Sequence, residues 1–193
     1  MRIIFATANP GKLREASEVL GPDYEVVPPA SMGITEDIPE TGSSLQENSL
    51  QKARYLFERT GLPCFADDTG LEVDALGGAP GIYSARYAGP AHDSQANMTK
   101  LLAELENEKS RRARFRTVVT LILSDGEPRF FEGVCEGSIA TERHGAGGFG
   151  YDPVFLPDAY PGRTLAEVSE EEKNAVSHRG RAIRAMADWL KGR

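Results

Sequence analysis

The spacing of apolar residues predicts that helices and strands alternate in the first part of the chain, whereas strands follow one another later. Helices are predicted where apolar side chains recur every three or four residues, because that spacing lines one face of a helix. Four segments have this period, with apolar positions at Leu13, Ala16 and Leu20; Leu50, Ala53 and Phe57; Met98, Leu101, Leu102 and Leu105; and Ile183, Met186, Ala187 and Leu190.

Runs rich in β-branched and aromatic residues predict the strands. The longest run is 114–123, and the others are 2–7, 24–28, 64–67, 71–75, 129–135, 137–140 and 154–156. Strands that alternate with helices favour parallel pairing, and strands that follow one another favour antiparallel hairpins. The chain is therefore expected to form an α/β fold with a mixed sheet.

Local signals mark the ends of the predicted helices. Ser44 followed by Glu47 is a capping-box pattern that predicts a helix start, and Gly61 is a residue type that ends helices. Ser169 and Glu172 repeat the capping-box pattern ahead of the last helical segment. The third helix is expected to begin at Asp93 or Ser94.

The charge balance argues against a nucleic-acid polymer as partner. The 193 residues include 22 Lys and Arg against 29 Asp and Glu, which gives a formal charge of −7. Polymer binding depends on Lys and Arg that neutralise phosphates. The excess acid is concentrated in 31–75, whereas 163–193 is net basic. This asymmetry suits a metal on one side and a small anion on the other, and it also fits ordinary surface variation.

Size and cysteine usage favour a single domain in the cytoplasm. Cys64 and Cys135 form no metal-binding pair and lie in apolar runs, which suits buried thiols in a reducing compartment. The first residues are typical of a strand and not of a secretory leader. No apolar run approaches the ~20 residues of a membrane span, so no membrane partner is expected.

The loop between the first predicted strand and the first helix is a candidate phosphate site. Backbone N–H groups at a helix start, together with a lysine, attract phosphate. The loop is not a Walker A motif, because Leu13 follows Lys12 where that motif needs Ser or Thr. A plain strand–turn–helix connection explains the same residues, which are Thr7, Ala8, Asn9, Pro10, Gly11 and Lys12.

Asp67 and Asp68 are adjacent carboxylates at the end of a predicted buried strand. Such a pair is costly unless it shares a cation or a proton. One interpretation is a Mg²⁺ site that activates water, and another is a cap of the following turn. Asp68-Thr69-Gly70 also matches the short signature of aspartic proteases, in which two carboxylates share one proton.

Two further carboxylates precede this pair. Glu47 can close the capping box of its own helix, and a carboxylate on a first helical turn can also face a strand end and complete a metal site. Local pattern alone favours the cap. Glu40 lies upstream in the acidic loop.

A glycine-rich loop is a candidate site for a flat ligand. Its glycines let the backbone approach a ring closely, Phe149 and Tyr151 could stack on a base, and Asp152 could accept a hydrogen bond from one. A tight turn with core aromatics explains the same residues. Lys173, His178 and Arg179 add donors for a phosphate or a carbonyl oxygen.

Five segments, in order, resemble the inosine triphosphate pyrophosphatase family over nearly the whole chain. They are residues 7–12, 40–53 (ETGSSLQENSLQKA), 65–89 (FADDTGLEVDALGGAPGIYSARYAG), 147–155 (GGFGYDPVF) and 172–180 (EKNAVSHRG). Two positions differ from the usual pattern without removing a reactive group. Thr69 stands where many members have Ser, and Ala8 stands where Gly is frequent.

The resemblance implies one nucleoside-triphosphate pyrophosphatase domain over 1–193, with an elongated mixed β-sheet flanked by helices and two lobes around a central cleft. It implies a homodimeric, Mg²⁺-dependent hydrolase that converts ITP, dITP and XTP to the monophosphate and pyrophosphate. Such an enzyme removes aberrant purines from the nucleotide pool. A purine nucleotide-binding regulator without turnover is the alternative, and tight ITP binding without product would indicate it.

The resemblance also implies a role for each candidate residue. Asp68 would be the general base and a metal ligand, Glu47 the second ligand, and Glu40 and Asp67 further candidate ligands. The substrate would be bound by Thr7, Ala8, Asn9, Pro10, Gly11, Lys12, Thr69, Phe149, Gly150, Tyr151, Asp152, Lys173, His178 and Arg179.

Overall fold

The computed structural model describes residues 1–192 and contains a mixed sheet with five α-helices among the described residues. The strands are β1 (Arg2–Phe5), β2 (Glu25–Val27), β3 (Cys64–Val73), β4 (Pro80–Gly81), β5 (Arg112–Ile122), β6 (Pro128–Ile139) and β7 (Phe155–Pro157). The helices are α1 (Pro10–Leu20), α2 (Leu45–Thr60), α3 (Ser94–Glu104), α4 (Glu170–Val176) and α5 (His178–Lys191).

The strand order of the sheet is β2-β1-β3-β5-β6-β7, with β4 paired to β3. β1 runs parallel to β2 and to β3, and Ile4 lies opposite Val27 on one side and Cys64 on the other. β4 pairs with β3, and β7 with β6, in the antiparallel sense. The predicted α/β fold with a mixed sheet is confirmed.

The chain divides into two compact units, with three of the four divisions inside β3, β5 and β6 and the fourth between α4 and α5. The first unit contains Met1–Asp68, Thr117–Gly133 and the chain from His178 onward. The second contains Thr69–Arg116 and Val134–Ser177.

In the first unit, helices pack on both faces of the sheet. Successive strand residues point to opposite faces, so each face carries apolar side chains that a helix can cover. Phe5 and Phe65 stack with centroids 4.3 Å apart in a core that includes the apolar faces of α1 and α5. Ile4 and Ala66 belong to the opposite core, which includes the apolar face of α2. Each of these helices therefore holds its side chains against a fixed side of β3.

The second unit has one apolar core. It combines the predicted inward positions Met98 and Leu101 of α3 with residues of β3, β5, β6 and β7. Tyr151 also belongs to this core, and its hydroxyl donates a 2.6 Å hydrogen bond to the Ser84 carbonyl oxygen.

Three local predictions of where elements break are wrong. β3 is a single ten-residue strand where two strands were expected; it lies between β1 and β5 in the sheet and pairs with β4 at Leu71 and Glu72. β6 is likewise unbroken where two strands were predicted. The last helical segment is instead divided at Ser177, which caps α4 immediately before α5 begins.

The two predicted capping boxes differ in outcome. The box of Ser169 and Glu172 is complete, since each side chain accepts from the other residue's backbone N–H. At α2, Ser44 accepts from the Glu47 N–H as predicted, but the Glu47 carboxylate bonds to Ser43 instead of Ser44. That box is therefore only half formed.

Both cysteines are buried free thiols, as the sequence predicts, and burial raises the pKa of Cys64 to about 12. Within residues 1–192, none of the helices has the combined length and apolarity of a membrane span.

Candidate active site

Asp67 and Asp68 follow each other on β3 and therefore point to opposite faces of the sheet. Phe65, two residues before Asp67, packs with α1 and α5, whereas Ala66, two residues before Asp68, packs with α2. The two carboxylates consequently meet different helices, and each acquires its own set of partners.

The Asp67 carboxylate is the centre of a buried ion network. Its side chain is about 1% exposed, and its oxygens accept from Lys12 Nζ at 3.1 and 3.2 Å and from Arg179 Nε at 2.8 Å. Arg179 also donates to Glu15 at 3.2 Å. Burial alone would raise the pKa of Asp67, but Lys12 and Arg179 outweigh it and hold that pKa well below its usual range.

Asp68 has fewer partners on the opposite face. Asn48 Nδ2 donates to its Oδ2 at 3.1 Å, and the Lys52 ammonium lies 3.7 Å from its Oδ1. Burial raises the pKa of Asp68 to about 6, with Glu40 and Asp67 adding to the rise and with Lys52 and Asn48 opposing it. The strand therefore presents one carboxylate that is neutralised by cations and one that can take up a proton near neutral pH.

Glu40, and not Glu47, shares a cation with Asp68. The Lys52 ammonium donates to Glu40 Oε1 and lies near Asp68, so two carboxylates converge on one buried positive charge. The Glu47 carboxylate accepts from the Ser43 N–H at 2.7 Å and from the Ser43 hydroxyl at 2.8 Å. These two bonds lower the pKa of Glu47 and engage its Oε2 at the surface of α2.

One polar stripe of α2 fastens the segment that carries Glu40. Asn48 accepts from the Gly42 N–H at 2.8 Å, and Gln51 accepts from the Thr41 N–H, also at 2.8 Å. Tyr55 donates to Glu36 at 2.6 Å. Positions three, four and seven residues apart lie on one face of a helix, so the stripe holds the segment along its length.

The predicted phosphate loop closes on itself at the start of α1. Asn9 Oδ1 accepts from the N–H groups of Gly11 at 2.8 Å and Lys12 at 3.2 Å, and Thr7 Oγ1 accepts from the Asn9 N–H. The donors that were expected to be free are thus capped within the loop. Ala8 precedes the cap residue Asn9, Pro10 is the first residue of α1, and Lys12 Nζ donates to Asp67.

A cavity of about 540 Å³ in the first unit opens beside this loop. Thr7, Lys12, Glu40 and Lys52 contribute its polar wall, and residues 28–30 and 34–38 contribute most of the rest. Its size is within the range of small-molecule sites.

The predicted base-binding residues are organised around Asp152 in the second unit. The Asp152 Oδ2 accepts from the Phe149 N–H at 2.9 Å and from Lys173 Nζ at 2.6 Å. The Lys173 ammonium also lies 4.2 Å from the centroid of the Phe149 ring, which is 44% exposed. Gly148 has a positive φ, and a Cβ there would lie 2.1 Å from Asp152 Oδ2. This carboxylate therefore holds the loop that presents Phe149.

The other predicted residues are distributed between the units. His178 is the buried first residue of α5 in the first unit, beside Arg179. Thr69 follows Asp68 on β3, and Gly150 has a positive φ between Phe149 and Tyr151 in the second unit.

Lys52 and Asn48 were missed by the sequence reasoning. Both lie on α2 and are buried, with Asn48 1% and Lys52 7% exposed. Polar residues at positions 48, 51, 52 and 55, which share one face of α2, were the available signal, because polar side chains on a helix face that packs against other segments need partners.

The donor set around Lys52 fits a hard cation. Two carboxylates already surround an ammonium group, and Mg²⁺ is typically bound by one or two carboxylates completed by phosphate oxygens and water. Among residues 1–192, no three His, Cys, Asp or Glu side chains form a metal cage by themselves. The remaining ligands would have to come from substrate and solvent.

The charge count around these carboxylates also favours an added cation. In the first unit, three cations are paired with four carboxylates, which leaves one net negative charge before any ligand binds. The cations are Lys12, Lys52 and Arg179, and the carboxylates are Glu15, Glu40, Asp67 and Asp68. The net negative charge of these groups would repel a highly charged anion, and a bound divalent cation would make the net charge positive.

Comparison with known proteins gives a consistent match. The model of the Ham1 family matches residues 3–189. A dITP/XTP pyrophosphatase of Porphyromonas gingivalis is 52% identical over 190 residues, covering 98% of this chain and 97% of the relative. One from Thioalkalivibrio sulfidiphilus is 49% identical over 199 residues, covering 100% of both. The structure of a HAM1 protein from Coxiella burnetii has a TM-score of 0.91 and 40% identity, with complete coverage of both chains.

The ion network around Asp67 generates a stability prediction. Asp67→Asn should lower the free energy of unfolding by about 3–5 kcal/mol, because Lys12 and Arg179 would stay buried without their common counter-ion. Chemical denaturation measures this loss.

Asp158→Asn is the matched control. Asp158 also forms a bidentate pair, with Arg112 at 2.8 and 3.0 Å, but the two side chains are 54% and 46% exposed. Removing it should change stability by about 1 kcal/mol or less. Equal losses in the two variants would contradict the role given to burial.

Proposed function

Because this chain belongs to the Ham1 family, we propose that it hydrolyses the aberrant purine nucleoside triphosphates ITP, dITP and XTP to the monophosphate and pyrophosphate. The relatives that match it over their full lengths are named dITP/XTP pyrophosphatases. The observation that carries the proposal is the convergence of Glu40 and Asp68 on Lys52, with Glu40 and Lys52 on the wall of a ligand-sized cavity. This arrangement suits the hydrolysis of a polyphosphate.

We further propose that Mg²⁺ is the cofactor and that Glu40 and Asp68 hold it. When bound, the ion neutralises phosphate charge and lowers the pKa of bound water. Glu40 takes the place of Glu47 as the second metal ligand, the role that the family resemblance implied for Glu47, because the Glu47 carboxylate is bonded to Ser43. Asp67 is assigned a structural role, since both its oxygens accept from cations.

Asp68 is proposed as the general base. A carboxylate removes a proton from water most effectively when its pKa lies close to the working pH, and burial raises the pKa of Asp68 to about 6. The Asn48 bond fixes one carboxylate oxygen and leaves Oδ1 on the side of Lys52. Asp68 would take the proton of the attacking water on this second oxygen.

The phosphates would lie beside the loop Thr7–Lys12 and be bound chiefly by Lys12 and Lys52, because the Gly11 and Lys12 N–H groups already donate to Asn9. Lys12 and Lys52 line the cavity, and each is paired with a carboxylate before substrate arrives. A triphosphate brings about four negative charges, so these ammonium groups could turn toward phosphate once a metal ion supplies the carboxylates with positive charge. Thr69 would add its hydroxyl, as the family resemblance implies.

The base would be bound by the Phe149 ring and by donors aimed at its oxo group. Lys173 covers one face of Phe149, so a purine would stack on the other face. Hypoxanthine and xanthine have an acceptor at position 6 where adenine has a donor. The N–H groups around Gly150 and Tyr151 would therefore be left opposite a donor by ATP, which disfavours it.

Neither competing interpretation gains support. A regulator without turnover would not need the carboxylates that converge on Lys52. In an aspartic protease two carboxylates share a proton, whereas Asp67 here is neutralised by Lys12 and Arg179.

The assembly is proposed to be a homodimer in the cytoplasm. Tyr83 is 55% exposed on the second unit with the Arg86 guanidinium 5.1 Å from its ring centroid, and both residue types are enriched in interfaces. The two buried free thiols suit a reducing compartment. Sedimentation equilibrium should give a mass twice that of the chain. Tyr83→Ala should shift the monomer–dimer equilibrium toward the monomer and lower the measured mass. A concentration-independent monomer would contradict this assignment.

The reaction is tested with a panel of ITP, dITP, XTP, GTP, dGTP and ATP, assayed with Mg²⁺ and with EDTA. The kcat/KM for ITP, dITP and XTP should exceed that for ATP by roughly 10²–10⁴-fold, because a mispaired buried donor is costly. EDTA should abolish turnover, and Asp68→Asn should reduce kcat by about 10³-fold or more.

Product analysis decides the position of cleavage. Monophosphate and pyrophosphate are expected in equal amounts. A nucleoside diphosphate product, or equal rates on ATP and ITP, would contradict the proposed reaction or its selectivity.

The assignment of metal ligands is tested by comparing Glu40→Gln with Glu47→Gln. Loss of a charged ligand should raise the Mg²⁺ concentration for half-maximal activity by about tenfold or more in Glu40→Gln. Glu47→Gln should change it by about threefold or less, since its carboxylate is bonded to Ser43. The reverse order would return the role to Glu47.

A further inference from the structure

Asn48 is a buried amide that connects two parts of the proposed active site. It lies in the first turns of α2, and its side chain is only 1% exposed. A buried amide must find partners for both its oxygen and its nitrogen, or it costs the fold stability. Both partners of Asn48 belong to the machinery described above.

The two hydrogen bonds fix the orientation of the amide. The Gly42 N–H can only donate, so it meets Oδ1, at 2.8 Å. Nδ2 is then turned to Asp68, where it donates to Oδ2 at 3.1 Å. The opposite orientation would place a donor against a donor and an oxygen against a carboxylate, so only one orientation satisfies both partners.

The first bond holds the segment that carries Glu40. Gly42 is two residues beyond Glu40, and it lies so close to α2 that a Cβ would be 2.6 Å from Glu47 Cβ and 2.9 Å from Asn48 Oδ1. The Gly42 backbone is therefore seated directly on the Asn48 amide. Its distance from α2 sets where Glu40 can reach Lys52.

The second bond determines which Asp68 oxygen is available. With Oδ2 bonded to Asn48, Oδ1 is directed to the side of Lys52 and Glu40. Rotation of the carboxylate would break the bond and leave the buried Nδ2 without a partner. One amide thus constrains the positions of both carboxylates.

We propose that Asn48 is a positioning residue of the hydrolytic reaction. It fixes the position of the Asp68 carboxylate relative to the segment that carries Glu40. The inference rests on the proposed function, because it concerns carboxylates that are assigned there to metal and proton transfer. Asn48 does not touch substrate in this role, and it acts only through Asp68 and Gly42.

Asn48→Asp and Asn48→Ala separate the two bonds. Asn48→Asp keeps an oxygen for the Gly42 N–H and replaces the donor to Asp68, whereas Asn48→Ala removes both. Misplacement of a reacting group lowers kcat more than substrate binding. Both variants should lose about tenfold or more in kcat on dITP with Mg²⁺ and keep KM within about threefold of wild type.

Asn97→Ala is the matched control for a purely structural role. Asn97 is a buried asparagine on α3 with the same arrangement, since its Oδ1 accepts from the Ala88 N–H at 2.7 Å and its Nδ2 donates to the Ala85 carbonyl at 3.0 Å. Its Nδ2 also lies 3.4 Å from the Ser84 carbonyl oxygen, so Asn97 holds residues 84–88 of the second unit, and none of these three bonds is to a residue assigned to the reaction. Asn97→Ala should lower the melting temperature comparably while kcat stays within about threefold of wild type.

Hydrogen exchange at the Gly42 amide gives a readout that does not depend on turnover. Protection should be lost in Asn48→Ala, retained in Asn48→Asp and unchanged in Asn97→Ala. An Asn48→Asp variant that keeps Gly42 protected and has lost kcat would support the Asp68 connection specifically.

The outcomes separate this inference from the proposed function. A wild type without turnover on the whole panel overturns the proposed function and with it the role of Asn48. An active wild type whose kcat is unchanged in Asn48→Asp overturns the positioning role alone. An Asn97→Ala variant that loses as much kcat as Asn48→Ala would also overturn it, because stability would then explain both.

Discussion

The burial of two adjacent carboxylates on one strand is the constraint on which the first unit depends. Strand geometry sends Asp67 and Asp68 to opposite faces, so one cation cannot serve both equally. Asp67 meets Lys12 from α1 and Arg179 from α5, and these keep it ionised inside the protein. Asp68 meets the polar stripe of α2, where a single lysine is shared with Glu40. One strand thereby supplies a fixed structural anchor and a carboxylate that can exchange a proton.

The same constraint explains how an acidic protein can accept a polyanion. The buried cations are paired with carboxylates before any ligand binds. The free energy needed to remove these charged groups from water is therefore offset during folding and not when substrate binds. Positive charge for the substrate must then come from a metal ion or from lysines released from their partners. A site built in this way is preorganised around the developing charge, which is the largest contribution that most enzymes make to catalysis.

Helix α2 provides the second element of that preorganisation. Its stripe of Asn48, Gln51, Lys52 and Tyr55 fastens an irregular acidic segment by bonds from successive turns. Irregular segments place functional groups accurately when a rigid element holds them. The sequence contained this signal as a polar face at helical spacing, but its partners were not adjacent in the chain. The family resemblance implied Glu47 as the second ligand and Glu40 as a further candidate, and only the structure shows that Glu40, not Glu47, shares the Lys52 ammonium with Asp68.

The sequence by itself determined the types of element, the mixed sheet, the complete cap at Ser169 and the family, because periodicity, capping and motif order are local properties of the chain. Tertiary structure decided the continuity of β3, since β1 and β5, the strands that flank it in the sheet, come from distant parts of the chain. It also decided that cations hold the pKa of Asp67 low, whereas burial raises the pKa of Asp68 to about 6. Asp67 and Arg179 are 112 residues apart in the chain, and only folding brings them to 2.8 Å. Roles that depend on such distant contacts cannot be read from local pattern.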